Sequence, residues 1–421
     1  MTVASVAGTI VESYDFALFG LGAALVFGGR FFPAGSPGVA TLASLATFAV
    51  GFLARPIGGL VLSHFGDRAG RVPIMVFTLS LMGSATIGIG LLPSYESVGI
   101  LAPVLLVILR LLQGIGAGAE YVGAILVATE SGGHRGRGLR ASLPAAGFFG
   151  GVLLATLAFS AVSLLPERQF VAWGWRVPFL LSLVTVLIGL YFRVRISETT
   201  AFSDTRTTRR ANRFPVWEVI RRQPRDMFLV FAANGPFVGI FYLAQVFLLS
   251  YATKSLGVSA VTGLVANLVA SAVAIVTVPL FGVLTDRVGR RPVWFGGSAF
   301  LIITAFPMFR LVESGGGAWV VMAVTLMVGV GVAAMVAAQS ALFPELFETS
   351  GRFSGVTVAR EASAALVGGP APFVAAALTQ RYGGASWPIA LLITVLGVVA
   401  FVAVVFLRET RRISGISEAD S

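Results

Sequence analysis

The chain has 421 residues, of which 56% are hydrophobic and only 12% are charged. Soluble domains carry about 25% charged residues, so this composition excludes an ordinary soluble protein and indicates a bilayer protein. The chain has no cysteine, which excludes disulfides and thiolate chemistry. His64 and His134 are too few and too far apart for a usual metal site, and we expect neither a metal nor a cofactor.

The formal net charge of +11 arises from 30 basic residues, and most of these fall on one side of the apolar segments. In membrane proteins, arginine and lysine accumulate on the cytoplasmic side. The distribution of charge therefore indicates how the protein is oriented in the membrane, and it predicts contact with anionic lipid of the bilayer. We expect no nucleic-acid partner.

Apolar stretches of about 20 residues, each long enough to cross a bilayer, recur between polar or Gly/Pro breaks. They predict twelve transmembrane helices at 9–32, 39–63, 73–92, 99–128, 139–165, 173–193, 227–251, 259–284, 292–311, 319–342, 355–380 and 386–407. An even number of spans places both termini on one side, and the basic residues make that side the cytoplasm. The first segment lacks a basic start and carries two acids, so we expect no cleaved signal peptide.

A short charged motif, Asp-Arg-x-Gly-Arg, occurs at residues 67–71 and again 219 residues later at 286–290, each time between two apolar spans. A repeat of this kind predicts two halves of similar design, which in membrane proteins is typical of secondary transporters. We divide the chain into an N-terminal six-helix bundle (1–194), a cytoplasmic linker (195–225), a C-terminal six-helix bundle (226–407) and a cytoplasmic tail (408–421). Within the linker, residues 215–222 suit either an interfacial amphipathic helix or a solvated connector.

The two charged motifs are too close to the membrane surface to bind a substrate. Their carboxylate and guanidinium groups suit a latch that bridges neighbouring helix ends and changes partners as the halves move. The alternative is a static turn that only fixes topology. The predicted latch residues are Asp67, Arg68, Arg71, Glu130, Asp286, Arg287, Arg290 and Arg291.

The motifs of nucleotide-driven pumps and of common membrane enzymes are absent. A P-loop needs Gly-Lys-[Ser/Thr], whereas the only lysine, Lys254, follows Tyr-Ala-Thr. The His-Glu-x-x-His pair of metalloproteases is also missing. We therefore expect no enzyme activity.

Ionisable side chains inside the spans cost about 3 kcal/mol each on insertion scales and usually mark the path of a substrate or an ion. Glu12 and Asp15 are three residues apart in the first span, hence on one helical face. Two carboxylates so close in a low dielectric cannot easily both ionise, so one of them would hold a proton. We predict proton coupling at Glu12 and Asp15, with Glu120 as the next candidate. Pairing of the first two with a basic loop is the alternative.

Arg55 and Arg110 also lie inside spans and cannot lose their protons, so each needs an anion. For Arg55 the candidates are Glu12, Asp15 and a substrate carboxylate. Arg110 lies about 15 Å of helical rise from the acid of its own span, too far for a direct pair. A structural ion pair is the alternative for both arginines. The other residues predicted to line the substrate site, with helix packing as the alternative, are Tyr14, Gln113, Tyr121, Asn234, Tyr242, Gln245 and Gln339.

These features resemble the major facilitator superfamily, whose signature Gly-x-Leu-x-Asp-Arg-x-Gly-Arg-Arg is complete at residues 282–291. The first copy departs from it at Ser63, Phe65 and Val72. More narrowly, the chain is similar to the metabolite:proton symporter branch, which carries shikimate, 2-oxoglutarate, citrate or proline/betaine. The motifs behind this similarity lie at 8–16, 52–59, 64–71, 110–114, 173–179 and 344–347. The resemblance implies an all-α polytopic fold of twelve helices in two pseudo-symmetric six-helix bundles, with a central cavity lined mainly by spans one, four, seven and ten.

Three departures from the branch fall near that expected cavity. Ser13 replaces a tryptophan, and Gly-Ala-Glu-Tyr-Val-Gly at 118–123 replaces Gly-Gly-Glu-Trp-Gly-Gly. Arg360 and Glu361 stand where the branch tends to have neutral polar residues. These two charges suggest a cluster near the cytoplasmic gate, and the sequence leaves their role open.

The sequence thus predicts a monomeric transporter of a bacterial inner membrane, which imports a small carboxylate or zwitterionic metabolite with protons by alternating access. A proton-driven exporter of small organic compounds is the nearest alternative, and a non-transporting sensor on the same fold is another. Two arginines inside the spans favour an anionic substrate, whereas an exporter's cavity is usually more apolar. Substrate identity and proton stoichiometry are not determined by the sequence.

Overall fold

The protein is represented by a computed structural model that describes residues 2–33, 36–69, 71–118, 120–130, 136–197, 215–314, 316–348 and 351–411. For residues 2–5, 60–69, 71–75, 120, 121, 127, 129, 130, 192–197 and 215–218, the description covers the backbone alone.

Twelve main helices form the fold, and the described residues contain no strand. They are α1 (Thr2–Leu25), α2 (Pro37–Ala69), α3 (Arg71–Leu91), α4 (Leu101–Ala117 followed by Glu120–Glu130), α5 (Arg137–Ser163), α6 (Arg176–Ser197), α7 (Pro224–Lys254), α8 (Ala260–Val288), α9 (Arg290–Glu313), α10 (Gly317–Leu346), α11 (Arg352–Arg381) and α12 (Trp387–Val405). Short helices lie at Phe27–Phe31, Tyr95–Val98, Glu167–Gln169 and Pro215–Arg222. π-helical turns occur at Phe170–Gly174, Leu243–Phe247, Met327–Val332 and Ala364–Gly368.

Within the described ranges, nine helices are long and apolar enough to cross a membrane. A tenth span results if the bent pair Glu167–Gly174 and Arg176–Tyr191 counts as one. The first helix and the apolar helix Val76–Leu91 complete the predicted twelve. The predicted all-α polytopic fold is therefore confirmed.

The helices α1–α6 form one bundle and α7–α12 the other, and they meet along a long interface. Across it α5 packs against α8, α2 against α11, and α1 against α7. The interface is the place where a path through the protein would run, because each bundle fills its own interior with packed side chains.

The second charged motif is tighter than the sequence suggested. Helix α8 continues through Asp286 and Arg287 to Val288, and α9 begins at Arg290, so Gly289 alone separates the two helices. Gly289 has φ +107°, a conformation that only glycine adopts readily. Asp286 and Arg287 therefore project from the last turn of α8, and Arg290 projects from the first turn of α9.

The linker contains a helix, Pro215–Arg222, and one of its side chains docks on the protein. Val219 is 6% exposed and lies where Gly351 and Gly355 leave room for it at the start of α11. This segment is therefore a helix in contact with the C-terminal bundle.

Glycines bring helix backbones into direct contact, as their density in the sequence suggested. A methyl group at Gly114 of α4 would collide with the carbonyl oxygen of Gly51 of α2, and one at Gly118 would collide with that of Arg55. Gly151 of α5 meets α1 in the same way, at Ile10 and Ser13. The close approach of α2 and α4 fixes the backbone from which the Arg55 side chain enters the interface.

We predict that Gly114→Ala destabilises the protein by about 1–3 kcal/mol, because the added methyl group must displace a backbone carbonyl. The measurement is the apparent melting temperature of the purified protein in detergent. Gly296→Ala is the matched control, since the methyl group that it adds on α9 meets no atom of another described helix within 4 Å. Equal melting temperatures for the two variants would contradict the close approach.

Candidate functional site

A cavity lies between the two bundles, and the space in it that protein atoms do not fill, including open solvent, is about 680 Å³. We call it the central cavity. Its wall combines aromatic rings with charged and amide groups, and it is formed by α1, α2, α5, α7, α10 and α11. The lining residues are Glu12, Ser13, Phe16, Phe52, Arg55, Phe148, Phe149, Asn234, Phe237, Val238, Phe241, Tyr242, Val336, Gln339, Arg360, Glu361 and Ala364.

A smaller pocket adjoins the central cavity, and both share the side chains of Phe16, Phe148, Phe241 and Tyr242. It extends along α1 and α7 to Gln245, away from the end that carries the charged motifs. We call it the aromatic pocket. Together the two spaces form a polar site with an apolar extension.

Arg55 is the centre of an ion-pair cluster in the wall of the central cavity. Its Nε lies 2.7 Å from Glu361 Oε2, and its Nη2 lies 3.2 Å from Glu12 Oε1. The guanidinium also lies over the ring of Phe16, 4.8 Å from its centroid, a contact that attracts a cation. Glu12 was among the predicted partners of Arg55. Glu361, which lies on α11 in the other bundle, was not.

The three charged side chains of this cluster are largely withdrawn from solvent, with relative exposures of 12% for Arg55 and 7% for each glutamate. Ion pairs at such sites interact more strongly than on a surface, because screening by water is weak. The pair between Arg55 and Glu361 therefore joins the two bundles at the cavity.

Two amide side chains of the cavity wall retain unused hydrogen-bonding capacity. Gln339 of α10 is 2% exposed, and neither its Nε2 nor its Oε1 has a partner among the described residues. Asn234 of α7 donates to Ser363 Oγ at 2.8 Å and to the Arg360 carbonyl at 3.2 Å, while its Oδ1 has no partner there. A buried polar group left unsatisfied costs about 1–3 kcal/mol, so these atoms are suited to bind a ligand.

Gln245 provides a similar group in the aromatic pocket. It is 4% exposed, and both polar atoms of its side chain lack a partner among the described residues. The backbone carbonyl of Gln245 accepts a hydrogen bond from Asn267 Nδ2 at 2.8 Å. Gln245 lies in the π-helical turn Leu243–Phe247, and turns of this kind are frequent at functional sites.

Asp15 faces a different part of the protein from Glu12. It is fully buried, its Oδ1 accepts a hydrogen bond from Ser182 Oγ of α6 at 2.5 Å, and its Oδ2 has no partner in the described part of the chain. Positions three apart on a helix differ in direction by about 60°, which is enough to turn one acid into the cavity and the other toward α6. Glu12 and Asp15 were expected to share one helical face, but their carboxylates lie in two separate environments.

Arg110 lies outside both the central cavity and the aromatic pocket. Its Nη1 donates to Gln113 Oε1 at 2.5 Å, its Nη2 donates to the Phe48 carbonyl at 3.2 Å, and its guanidinium lies between the rings of Phe19 and Phe16. No carboxylate among the described residues lies within ion-pair distance of it. Contact between Arg110 and a substrate is not seen in this conformation, because the side chain fills the core of the N-terminal bundle.

Two further predicted site residues lie inside that bundle. Gln113 Nε2 donates to the Asp15 carbonyl at 3.1 Å and to Thr86 Oγ1 at 2.9 Å. The Tyr14 hydroxyl donates to the Pro178 carbonyl at 2.8 Å. Their contact with a substrate stays a prediction. The side chains of Glu120 and Tyr121 lie outside the described residues.

The second charged motif joins the two bundles at one end of the interface. Asp286 of α8 accepts hydrogen bonds from the backbone N–H groups of Gly138 at 2.8 Å and Leu139 at 3.2 Å, at the start of α5. A carboxylate suits the beginning of a helix because the N–H groups there are unpaired and carry partial positive charge. Arg290 Nη1 lies 3.5 Å from Asp286 Oδ1 and holds the carboxylate from the other side.

The remaining latch residues stay within the C-terminal bundle. Arg290 donates through Nε and Nη2 to the two oxygens of Glu345 on α10, at 3.2 Å each. Arg291 donates to the carbonyls of Val404 and Val405 at the end of α12. Arg287 is exposed and makes no hydrogen bond or ion pair to a described residue. The side chains of the other predicted latch residues, Asp67, Arg68, Arg71 and Glu130, lie outside the described residues.

Hydrogen bonds also join the bundles at the opposite end. Lys254 Nζ of α7 donates to Thr41 Oγ1 of α2 at 3.1 Å, and Gln380 Nε2 of α11 donates to the Gly38 carbonyl at 2.7 Å. The central cavity thus lies between two sets of contacts that link the bundles.

Several site residues were missed by the sequence reading. Ser182 and Thr86 near Asp15 are single polar residues without a distinctive spacing. Glu345 lies in the motif at 344–347, but that motif did not indicate its contact with Arg290. Glu361 had one signal, its charge at a position where related transporters tend to be neutral. That signal marked it as unusual without revealing its partner, which lies 306 residues away.

Two helical bundles around a central polar cavity, with contacts at both ends, define a secondary transporter fold. The family model of the Major Facilitator Superfamily matches residues 3–369 and 247–420. The chain belongs to this superfamily, and it is a membrane transporter rather than an enzyme.

Individual relatives agree with this family. The shikimate transporter of Escherichia coli K12 is 38% identical over 383 residues, covering 90% of this chain and 87% of that protein. The proline/betaine transporter of the same strain is 33% identical over 437 residues, covering 100% of this chain and 86% of that protein. The xylose transporter XylE from E. coli, solved in a partially occluded inward-open conformation, shares the fold with a TM-score of 0.75, 14% identity and 98% coverage of both chains.

We predict that Asp286→Asn opens the end of the interface that carries the charged motifs, because the amide loses the ion pair with Arg290 and part of its bonding to α5. A weakening of about 1 kcal/mol corresponds to an approximately fivefold larger open population. The measurement uses a single cysteine introduced by Gln339→Cys, which is possible because the chain has no other. Its labelling by a membrane-impermeant maleimide, applied from the side of the motifs, should accelerate about fivefold.

Arg287→Ala is the matched control for this latch prediction, since Arg287 has no described partner, and it should leave the labelling rate unchanged. An Asp286→Asn variant that labels no faster than the parent protein would show that this contact does not hold the bundles together.

Proposed function

We propose that the protein imports a small carboxylate or zwitterionic metabolite together with protons, by alternating exposure of the central cavity to the two sides of a bacterial inner membrane. The observation that carries this proposal is the cavity wall itself. There Arg55 provides a buried cation, and Asn234 and Gln339 provide amide groups with free hydrogen-bonding capacity. Shikimate, proline and betaine, which appear in the names of the relatives, each carry a carboxylate that suits such a cation.

The rest of the cavity suits the body of a small metabolite. Phe52 and Tyr242 stack edge to face at 5.1 Å, and Phe148 and Phe241 do so at 5.4 Å across the bundle interface. Aromatic faces bind apolar ring surfaces and attract cationic groups. A carboxylate near Arg55 with a ring or an ammonium group against these rings would fill both ends of the site. The aromatic pocket with Gln245 extends that surface.

Asp15 is our leading candidate for the coupled proton. It is fully buried, and no cation lies within ion-pair distance of it among the described residues. A buried charge without a counter-ion is costly, and a bound proton removes this cost. Gln113 donates to the backbone carbonyl of Asp15 and accepts from Arg110, so a change of charge at Asp15 would alter the electrostatic energy of Arg110 in the core of the N-terminal bundle. Glu12 would share this role through Arg55, and Glu120 is the next candidate.

The transport cycle would use the two bundles as rocking units. Contacts of Asp286 at one end, and of Lys254 and Gln380 at the other, would break in turn. We assign the bundles to residues 1–194 and 226–407, and place the linker 195–225, the tail 408–421 and both termini in the cytoplasm. A monomer suffices, because one chain encloses the cavity.

The test is the uptake of labelled shikimate, proline and glycine betaine into right-side-out vesicles, with and without an inward proton gradient. A gradient of one pH unit supplies about 1.4 kcal/mol per proton, hence about tenfold accumulation for one proton per substrate. We expect such accumulation of at least one compound, and its loss on addition of a protonophore.

Two results of the uptake test would overturn the proposal. Gradient-driven loss of preloaded compounds would indicate an exporter, and binding without movement would indicate a sensor. An exporter and a sensor would both be compatible with the fold described above.

We further predict that Asp15→Asn abolishes the gradient-driven accumulation while exchange of labelled for unlabelled substrate continues. The amide keeps a hydrogen-bond acceptor for Ser182 but cannot carry a proton. Glu96→Gln, which changes an acid whose side chain is 80% exposed, is the control and should accumulate substrate normally. Normal accumulation by Asp15→Asn would move the proton site to another carboxylate.

A further inference from the structure

Glu361 occupies the place on Arg55 where an external carboxylate would bind. Its Oε2 lies 2.7 Å from Arg55 Nε, and Glu12 Oε1 lies 3.2 Å from Nη2, so two carboxylates use neighbouring donors of one guanidinium. Carboxylates bind guanidinium best through two parallel hydrogen bonds to one such edge. A substrate carboxylate can reach the Nε donor of this edge only when Glu361 withdraws.

The charges around the cavity set the condition for this withdrawal. Among the described residues, the charged groups of the wall are Glu12 of α1, Arg55 of α2, and Arg360 and Glu361 of α11, and their formal charges cancel. Tyr242 of α7 is the other titratable group that faces them, and α10 contributes only the neutral Gln339. A monocarboxylate that pairs with Arg55 adds one negative charge to this wall in a low dielectric, and one proton on a glutamate offsets that charge.

The position of the two glutamates decides which of them matters for movement. Glu12 lies in the same bundle as Arg55, so its protonation leaves the contact between bundles intact. Glu361 lies in the other bundle, and its protonation removes the ionic link that passes through Arg55. A proton can change a conformational equilibrium only by favouring one state over another, and Glu361 satisfies this condition. Phe16 would keep the released guanidinium in place.

We propose that Glu361 is an internal counter-ion which fills the carboxylate site of Arg55 in the empty transporter, and that its protonation frees this site for the substrate and unlinks the bundles. This inference rests on the proposed function, since it names the residue that makes carboxylate binding depend on a proton. It gives the protein a second proton-sensitive carboxylate, on the opposite bundle from Asp15.

The link between bundles is tested without any substrate. Gly123 of α4 and Phe353 of α11 face each other across the interface, with a gap of 3.9 Å between a methyl group placed on Gly123 and the Phe353 ring. Replacing the Phe353 ring leaves a gap longer than a direct disulfide spans, so cysteines introduced by Gly123→Cys and Phe353→Cys, in a chain that has no others, should be joined rapidly at pH 8 by a short bis-methanethiosulfonate, which forms one disulfide with each cysteine. Adding Glu361→Gln should slow this reaction about fivefold or more at the same pH.

The matched control for the cross-linking experiment is Glu12→Gln, which removes the other carboxylate of Arg55 and should leave the rate of cross-linking near that of the parent pair. The Glu361→Asp variant keeps the charge and should recover most of the rate. Equal rates for the parent pair and Glu361→Gln would overturn the proposed link.

The competition for Arg55 is tested by exchange of labelled shikimate, proline and glycine betaine between pH 6 and pH 8. In the parent protein, the concentration of shikimate that gives half-maximal exchange should rise by up to about tenfold per pH unit, because binding of the carboxylate takes up one proton. In Glu361→Gln it should stay low and vary less than about twofold, because no ionised side chain at position 361 then competes for Arg55 Nε. A pH dependence that survives in Glu361→Gln but disappears in Glu12→Gln would assign the role to Glu12 and overturn the proposal.

The two experiments separate the failure of this inference from the failure of the proposed function. If the parent protein exchanges none of the three compounds, the proposed substrate class is wrong, and the cross-linking rates still decide whether Glu361 links the bundles. If exchange occurs but neither the cross-linking rate nor the pH dependence responds to Glu361→Gln, the proposed function stands and the role of Glu361 does not.

Discussion

Arg55 carries a charge that it cannot lose, in a part of the chain that crosses the membrane, and much of the site follows from that constraint. The close contact of α2 and α4 at Gly118 fixes its backbone, and the Phe16 ring supports its guanidinium. The anions that balance it come from both bundles, Glu12 from one and Glu361 from the other. The same ion cluster therefore sets the charge of the cavity and joins the two halves, so that a change in one must affect the other.

The two ends of the interface are closed by different chemistry. At the end with the charged motifs, Asp286 accepts from the N-terminus of α5 and is held by Arg290. At the opposite end, neutral acceptors receive hydrogen bonds from Lys254 and Gln380. Each end nevertheless includes a hydrogen bond between the bundles in which one partner is fully charged, Asp286 at one end and Lys254 at the other.

The sequence predicted a good part of the cavity. Glu12, Arg55, Asn234, Tyr242 and Gln339 were named from polarity inside apolar spans, and all five line the central cavity. A polar group inside a span must face either a partner or a cavity, which is why polarity marks these positions. Arg110 and Tyr14 were predicted for the same site, and in this conformation both bond to groups within the N-terminal bundle, so their contact with a substrate stays a prediction. Polarity alone does not distinguish a residue that lines the cavity from one that is hydrogen-bonded inside a bundle, since both arrangements keep the polar group away from lipid.

The sequence by itself determined the membrane environment, the twelve helices and the repeat of two halves, because hydrophobic length, charge bias and motif recurrence are properties of the linear chain. Only the tertiary structure decided which charges meet. Glu361 follows Arg360 directly, and adjacent residues on a helix point in different directions, so neither their order nor their spacing reveals that Glu361 reaches Arg55 on α2. The partners of Asp15 and Asp286 were decided in the same way, by contacts between helices distant in the chain, whose energies depend on distance in space.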